Sequence, residues 1–337
     1  MNLLLTGGMG YIGSHTAVAL TLAGHRVVLY DNLSNSAQVM AERLERITGV
    51  SPLFVSGDVR DTDRLCHTLR HHAIETVIHF AGLKVVGESL EIPLDYYANN
   101  VQGSISLLQA MHVAGTRALV FSSSANVYGE PRYLPVDECH PTGVTNPYGR
   151  TKLHVEEILH DLARSDPAWR IVCLRYFNPV GAHESGLIGE HPQGLPNNLM
   201  PYIARVATGE LAELQVFGND YPTPDGTGVR DFIHVMDLAE GHACAVAYLN
   251  AHPGWQVINL GTGQGYSVLE MIRAFEVASG RPVPYRIAPR RPGDSASCYA
   301  NPEKAHRLLN WTARRTLAQM CATTWAFQSG MGTEGPA

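Results

Sequence analysis

The sequence predicts an α/β protein: a doubly wound parallel sheet followed by a smaller C-terminal α+β lobe. Two observations carry that expectation. Over residues 1–176, short apolar stretches alternate with amphipathic ones, the pattern of strand–helix–strand units in a parallel sheet. Directly behind the first apolar stretch stands Thr6-Gly7-Gly8-Met9-Gly10-Tyr11-Ile12-Gly13, a glycine-rich turn from a strand into a helix.

Taken in order, the first strand is expected at residues 3–5, where Leu3-Leu4-Leu5 enters an apolar core at once. Further strands are expected at 26–30, 53–56, 76–80, 118–122 and 171–175. Helices are expected between them near 12–23, 37–47, 61–71, 94–114 and 148–164. The last of these starts behind Pro147, a favourable first-turn residue. A Gly/Pro/Asn-rich passage over 178–198 then breaks the rhythm. This places a nucleotide-binding domain at 1–177 and a second lobe at 178–328, with helices near 198–208, 236–250, 268–278 and 316–328. Small polar residues from 329 to 337 read as a frayed tail.

Composition narrows the function classes. A 337-residue chain with 45% hydrophobic and 17% charged residues is ordinary for a globular enzyme. A net charge of −6 argues against a general nucleic-acid binder, which needs a basic surface. The six cysteines form no Cys-x-x-Cys pair, which points to free thiols in a reducing compartment. The sixteen histidines include no His-Glu-x-x-His spacing, and no metal is expected. With no long apolar stretch and no basic leader before the first strand, no membrane association is expected and the cytoplasm is the expected location.

Chemistry begins at Tyr148-Gly149-Arg150-Thr151-Lys152. With 14 tyrosines and three lysines in the chain, a Tyr-x-x-x-Lys spacing arises by chance about 0.12 times. On a helix, residues four apart share a face, so the phenol and the ammonium sit one turn apart. A fixed cation favours the phenolate and lowers the tyrosine pKa. Alone, such a pair is more often a surface tyrosine on a lysine stem. The glycine turn changes that weighting. Gly8, Gly10 and Gly13 fit G-x-G-x-x-G, and Gly7, Gly10 and Gly13 fit a three-residue variant. Such a turn lets backbone N–H groups approach a pyrophosphate at a helix N-terminus, as in a Rossmann-type fold. Asp31 closes the second strand, where a carboxylate accepts ribose hydroxyls and repels a 2′-phosphate. NAD is therefore the expected cofactor.

Together with Ser122-Ser123-Ser124-Ala125-Asn126-Val127-Tyr128-Gly129, these segments resemble the extended short-chain dehydrogenase/reductase superfamily. Within it the chain is similar to the UDP-glucose 4-epimerase family, along almost its whole length. The likeness includes Arg175-Tyr176-Phe177-Asn178-Pro179-Val180-Gly181-Ala182, the segments 194–202 and 217–237, and Pro289-Arg290-Arg291-Pro292-Gly293-Asp294. The resemblance implies reversible 4-epimerisation of UDP-glucose and UDP-galactose through a 4-keto sugar, with NAD as transient hydride carrier. It implies Tyr148 as the base, Ser124 as a bridge between the 4-hydroxyl and the phenol, and Lys152 holding the nicotinamide ribose while depressing the Tyr148 pKa.

Further roles are implied in the same way. Besides Gly7, Gly10, Tyr11, Ile12, Gly13 and Asp31, the cofactor would meet Asn32, Asp58 and Val59 near the adenine and its ribose. Phe80, Ala81 and Lys84 would follow the diphosphate, and Asn99, Tyr176 and Phe177 the nicotinamide. The UDP-sugar would meet Asn126, Asn178, Asn198, Leu199, Phe217, Arg230, Arg291 and Asp294, the two arginines suiting diphosphate oxygens. A homodimer built from helices 94–114 and 148–164 is also implied.

Four positions depart from the family's common pattern: Asn126 where Thr is usual, Phe232 where Tyr is usual, and Arg150-Thr151 where Lys-Ser is frequent. Cys298 stands where members restricted to plain hexoses carry Tyr. A small residue there is expected to leave room for the N-acetyl group of UDP-GlcNAc and UDP-GalNAc. Two other readings share the fold. A 4,6-dehydratase would carry an Asp-Glu pair after Ser124, and this chain has Ala125-Asn126. A non-enzymatic NAD-binding scaffold could dispense with Tyr148 or Lys152, and this chain keeps both.

Overall fold

The computed structural model describes residues 1–192, 194–291 and 293–331. Six strands of the first half enter one sheet: β1 (Asn2–Thr6), β2 (Arg26–Asp31), β3 (Leu53–Ser56), β4 (Thr76–His79), β5 (Ala118–Ser124) and β6 (Arg170–Tyr176). After them come β7 (Asn178–Val180), β8 (Leu214–Phe217), β9 (Val229–His234) and β10 (Gly254–Leu260). The sheet runs β3-β2-β1-β4-β5-β6-β10, and every pairing in it is parallel. Because a strand alternates its side chains, neighbouring apolar residues serve opposite faces. Leu3, Leu5, Leu29 and Ile258 pack into one core, whereas Leu4, Val28, Phe121 and Val257 pack into the other. Two apolar faces need two helical layers, which is why these strands read as continuous hydrophobic runs.

The first face is covered by α1 (Tyr11–Leu22) and α2 (Val39–Thr48), the second by α3 (Thr62–His71) and the helices after β4. The expected helix at 94–114 is a composite. After a separate short helix, α4 (Val86–Glu91), it comprises α5 (Pro93–Tyr96), a π-helical turn at Tyr97–Gln102 and α6 (Gly103–Ala114). Pro93 opens α5 at its first position, where a missing N–H costs nothing. Next is α7 (Pro147–Ser165), capped by the Asn146 side chain, which accepts from Gly149 N at 2.8 Å.

The boundary expected at 177/178 is crossed by the chain. Beyond α8 (Leu199–Ala207), helix α9 (Val235–Ala251) packs on α1, and β10 pairs with β6 along its whole length. The physical reason is the sheet edge: β6 is buried on both faces, and β10 covers its open hydrogen-bonding edge. The remaining elements are β11 (Gly265–Ser267), α10 (Val268–Ser279), β12 (Tyr285–Ala288), β13 (Ser297–Cys298), α11 (Glu303–Leu309) and α12 (Leu317–Met331). Strands β7, β9, β11 and β13 make a small mixed sheet, and β8 pairs with β12. Around them α8, α10 and α12 share a core of Met200, Ile203, Phe232, Met271, Phe275 and Cys321. Helix α12 continues to Met331, so Ser329 and Gly330, expected in the tail, are helical; residues 332–337 of that tail lie outside the described residues.

Candidate active site

Strand order reverses at β1, which has β2 on one side and β4 on the other. Open α/β sheets bind ligands at such a switch point, beyond the strands' C-terminal ends. A cleft of about 630 Å³ opens there and continues to α8, β8 and β9. Every residue expected in the site lines it except Asp58, Asn126 and Cys298.

The glycine turn is shaped by close approach. Gly7 sits at φ 68°, and a Cβ on it would lie 2.7 Å from the Ala81 nitrogen. A Cβ on Gly13 would lie 2.4 Å from the Gly7 carbonyl oxygen, so only glycine lets α1 start this close to β1. The N-cap of α1 is Gly10, which has no side chain to satisfy the first-turn N–H groups. They are left for an anion, aided by the helix dipole. Asp31 is buried and accepts from Met9 N at 3.0 Å, Leu33 N at 2.9 Å and Ser36 Oγ at 3.1 Å. This backbone cradle with a carboxylate at its far end fits a dinucleotide. Asp58 lies off the cleft because Arg60 grips both its oxygens, at 2.9 and 2.7 Å, and Asn32 adds a bond at 3.2 Å. The Arg60 hydrogen bonds hold its carboxyl well below the usual carboxylate range.

Tyr148, Lys152 and Ser124 meet in the same cleft, but the electrostatics differ from the sequence expectation. Lys152 is buried, donates to the Ser122 carbonyl at 2.7 Å and sits 5.0 Å from the centre of the Phe121 ring. Burial brings its ammonium down to about 8, against the pull of Glu156. Tyr148 was expected to be depressed by Lys152; burial instead pushes the phenol up, opposed by a Ser124 hydrogen bond and by the charge of Lys84. Lys152 is committed to a carbonyl, and the second cation of the cleft acts on the phenol. Ser124 Oγ accepts from Asn126 N at 3.2 Å and Asn126 Nδ2 at 3.0 Å. With both lone pairs engaged, its one O–H is free to donate to Tyr148, which is the direction that favours phenolate. Asn126 thus lies behind Ser124, outside the cleft lining.

Two residues missed in the sequence support this centre. Asn100, on the π-helical turn, uses its whole amide: Nδ2 donates to Leu83 O at 2.9 Å and Thr151 Oγ1 at 3.0 Å, while Oδ1 accepts from Leu83 N at 2.8 Å and Asn99 Nδ2 at 3.0 Å. It clamps the loop after β4 to α7. Gly82 in that loop leaves the room: a Cβ there would stand 3.3 Å from Asn100 Oδ1 and 3.5 Å from Lys152 Nζ. A π-helical turn inside a helix is a frequent mark of function, but its extra residue leaves no periodic trace in a sequence.

At the far end the Arg291 guanidinium lies 3.9 Å from the centre of the Phe217 ring, and Arg230 pairs with Asp294 at 3.8 Å. Asn178 Nδ2 donates to the Asp231 carbonyl at 2.9 Å. Asn198 is the N-cap of α8 but does not cap it; its side chain reaches Glu190 Oε1 at 2.8 Å. The first-turn N–H groups of α8, beginning with Leu199, therefore have no side-chain cap, and Asn198 and Leu199 both line the cleft. Cys298 lies on β13 in register with Arg230 and packs against the cluster of Val127, Tyr128, Val136, Phe177 and Ala300. Burial pushes its thiol up to about 11.

Residues 4–324 match the family model described as GDP-mannose 4,6 dehydratase. The chain is 56% identical to the UDP-glucose 4-epimerase of Bacillus subtilis (strain 168), covering 98% of this chain and 97% of that protein. It is 54% identical to the UDP-glucose 4-epimerase of Mus musculus, covering 98% and 99%. Among solved structures, the UDP-glucose-4-epimerase of Stenotrophomonas maltophila with bound NAD and formylated UDP-arabinopyranose superposes with a TM-score of 0.97 at 55% identity over 99% of each chain. The Bifidobacterium longum enzyme in complex with NAD+ and UDP gives 0.95 at 52% identity over 98% of each.

Proposed function

The chain belongs to the UDP-glucose 4-epimerase family, within the wider family of the GDP-mannose 4,6 dehydratase model, and from that premise we propose how its cleft performs the chemistry. The activity is reversible epimerisation of UDP-glucose and UDP-galactose with NAD as cofactor. The dehydratase reading is not favoured, since Ala125-Asn126 offers neither acid nor base after Ser124.

NAD, when bound, supplies the acceptor and donor of the hydride at sugar carbon 4. The first turn of α1 would hold its diphosphate, Asp31 its adenosine ribose, and Lys152 its nicotinamide ribose. Tyr148 would take the proton of the 4-hydroxyl, with Ser124 donating to the phenolate. Because burial opposes phenolate, Lys84 and the bound cofactor's own positive charge must offset it. Asn178, Arg230, Arg291 and the uncapped start of α8 would take the UDP diphosphate, Phe217 the base and Asp294 the ribose. Anchoring the nucleotide rather than the hexose leaves the sugar free to present either face.

The observation that carries this reading is the meeting of Tyr148, Ser124 and Lys152 in one cleft with an uncapped glycine turn. Tyr148→Phe should lower kcat by about 10²–10⁴-fold, the usual weight of a general base, while NAD stays bound. Undiminished turnover in that variant would refute the mechanism. A homodimer is the finer expectation: Leu90 and Leu94, 64% and 80% exposed on α4 and α5, offer an apolar surface beside α6 and α7. Light scattering giving a monomer at working concentration would exclude it. No helix among the described residues is long and apolar enough to cross a membrane.

A further inference from the structure

Glu190 has no role in the chemistry described so far, yet it sits where the two layers of the cleft face each other. Its side chain is only 10% exposed. One oxygen, Oε1, accepts from Lys84 Nζ at 2.8 Å and from Asn198 Nδ2 at 2.8 Å. Lys84 belongs to the loop after β4 in the nucleotide layer; Asn198 opens α8 in the sugar-nucleotide layer. The backbone beside Glu190 is fixed. Gly189 pairs with Ala182 in a β-bridge, and a Cβ on it would lie 2.4 Å from the Phe327 ring of α12. Tyr11, at the start of α1, donates to the Gly181 carbonyl at 2.6 Å and has Lys84 Nζ 6.0 Å from its ring centre.

We propose that Glu190 is a positioning residue of the reaction: its carboxylate straps Lys84 to Asn198 across the cleft, fixing where the ammonium points and how much of its charge reaches Tyr148. The inference rests on the family reading above and deepens it. The groups facing Tyr148 are Lys152 on its own helix, Ser124 at the end of β5, Lys84, Tyr176 on β6 and Tyr96 on α5. Those facing Lys84 are Glu190, Tyr148 and Tyr11. Partial desolvation opposes the charge on the half-exposed Lys84, but Glu190 outweighs it and holds the ammonium above its ordinary value. Lys84 is therefore a permanent cation at working pH whose field is partly cancelled by its partner. Charge removal at Glu190 restores that field, and a stronger cation lowers the phenol pKa.

The test compares holoenzymes. Glu190→Gln keeps an oxygen that accepts from both donors but removes the charge, so the acid limb of the kcat/KM profile should move to lower pH by at least about half a unit. In a Lys84→Met background the same substitution should move it by much less, because the effect passes through the ammonium. Glu190→Ala removes the strap itself and should raise KM for UDP-galactose several-fold, while Glu190→Gln leaves it within about two-fold. A turnover-independent reading comes from the tyrosinate absorbance of Glu190→Gln minus that of Glu190→Gln/Tyr148→Phe, whose midpoint should fall in the same direction. An unmoved limb and midpoint in Glu190→Gln, or an equal shift without Lys84, overturns the proposal. If the unaltered protein fails to interconvert UDP-galactose and UDP-glucose, the family reading fails instead.

Discussion

The Lys152 ammonium lies buried against the Phe121 ring and donates to the Ser122 carbonyl, and it shows how the cost of a site residue can be read from its surroundings. Its folded value of about 8 stands below the ordinary 10.5. Below about pH 8 both folded and unfolded chains carry the proton, and the folded protein bears the full cost of burying a charge. Between about 8 and 10.5 the unfolded chain holds a proton the folded one has lost, so folding becomes more favourable as pH rises. Lys152→Met should therefore stabilise the protein by up to about 3 kcal/mol at neutral pH, the gain shrinking towards zero near pH 10.5, while turnover is lost. Denaturant unfolding at pH 7 and pH 10 checks this; a gain that does not shrink overturns it. The pair with Tyr148 was legible because a spacing of four on a helix needs no tertiary knowledge. The direction of the Tyr148 shift was not, because burial and the nearness of Lys84, 64 positions earlier, exist only in the fold.

Helix α7 and strand β6 are joined by a buried ion pair one turn beyond Lys152. Glu156 Oε1 accepts from Arg175 Nε at 3.0 Å and Ser123 Oγ at 2.5 Å, and Oε2 accepts from Arg175 Nη2 at 2.6 Å. The Arg175 guanidinium also lies 4.7 Å from the centre of the Tyr128 ring. Removing one partner leaves an uncompensated buried charge. Arg175→Met should thus cost about 3–5 kcal/mol, whereas Glu156→Met/Arg175→Met should recover most of the loss. Urea denaturation measures both, and a double variant as weak as the single one would sink the account. At this scale the sequence was legible wherever an element has a clean period. The strands at 53–56 and 76–80 and the helices at 61–71 and 268–278 lie within a residue of where periodicity places them. It failed at 94–114, where a proline start and a π-helical turn divide one periodic stretch into several segments. That division places Asn99 and Asn100 on the turn, with Asn99 on the cleft and Asn100 behind it.

Across the whole molecule the two layers interleave, and this was the least legible feature. The sequence assigns β10 no place, because its partner depends on which sheet edge it covers, and β6 lies 84 residues earlier, Val257 pairing with Cys173 and Gly254 with Arg170. The interleaving has a consequence for substrate choice. β13 is a two-residue strand held against β9, with Cys298 in register with Arg230 and Ala300 N donating to the buried Asp231 carboxylate at 3.1 Å. Cys298 is therefore fixed in place outside the cleft lining, packed against the cluster of Val127, Tyr128, Val136, Phe177 and Ala300, of which Phe177 lines the cleft. With its thiol pushed up to about 11 by burial, it is a neutral filler at working pH. A larger side chain there must press on that cluster, and pressure passed to Phe177 narrows the cleft, which excludes bulk on the hexose before it affects the hexose itself. Cys298→Tyr should then lower kcat/KM for UDP-GlcNAc at least about 10-fold while leaving UDP-galactose within a few-fold, the scale of a steric exclusion. Initial rates on both sugar pairs decide it. Equal losses on the two would mean general disruption of β13, and an unaltered protein inactive on UDP-GlcNAc would remove Cys298 as the gate.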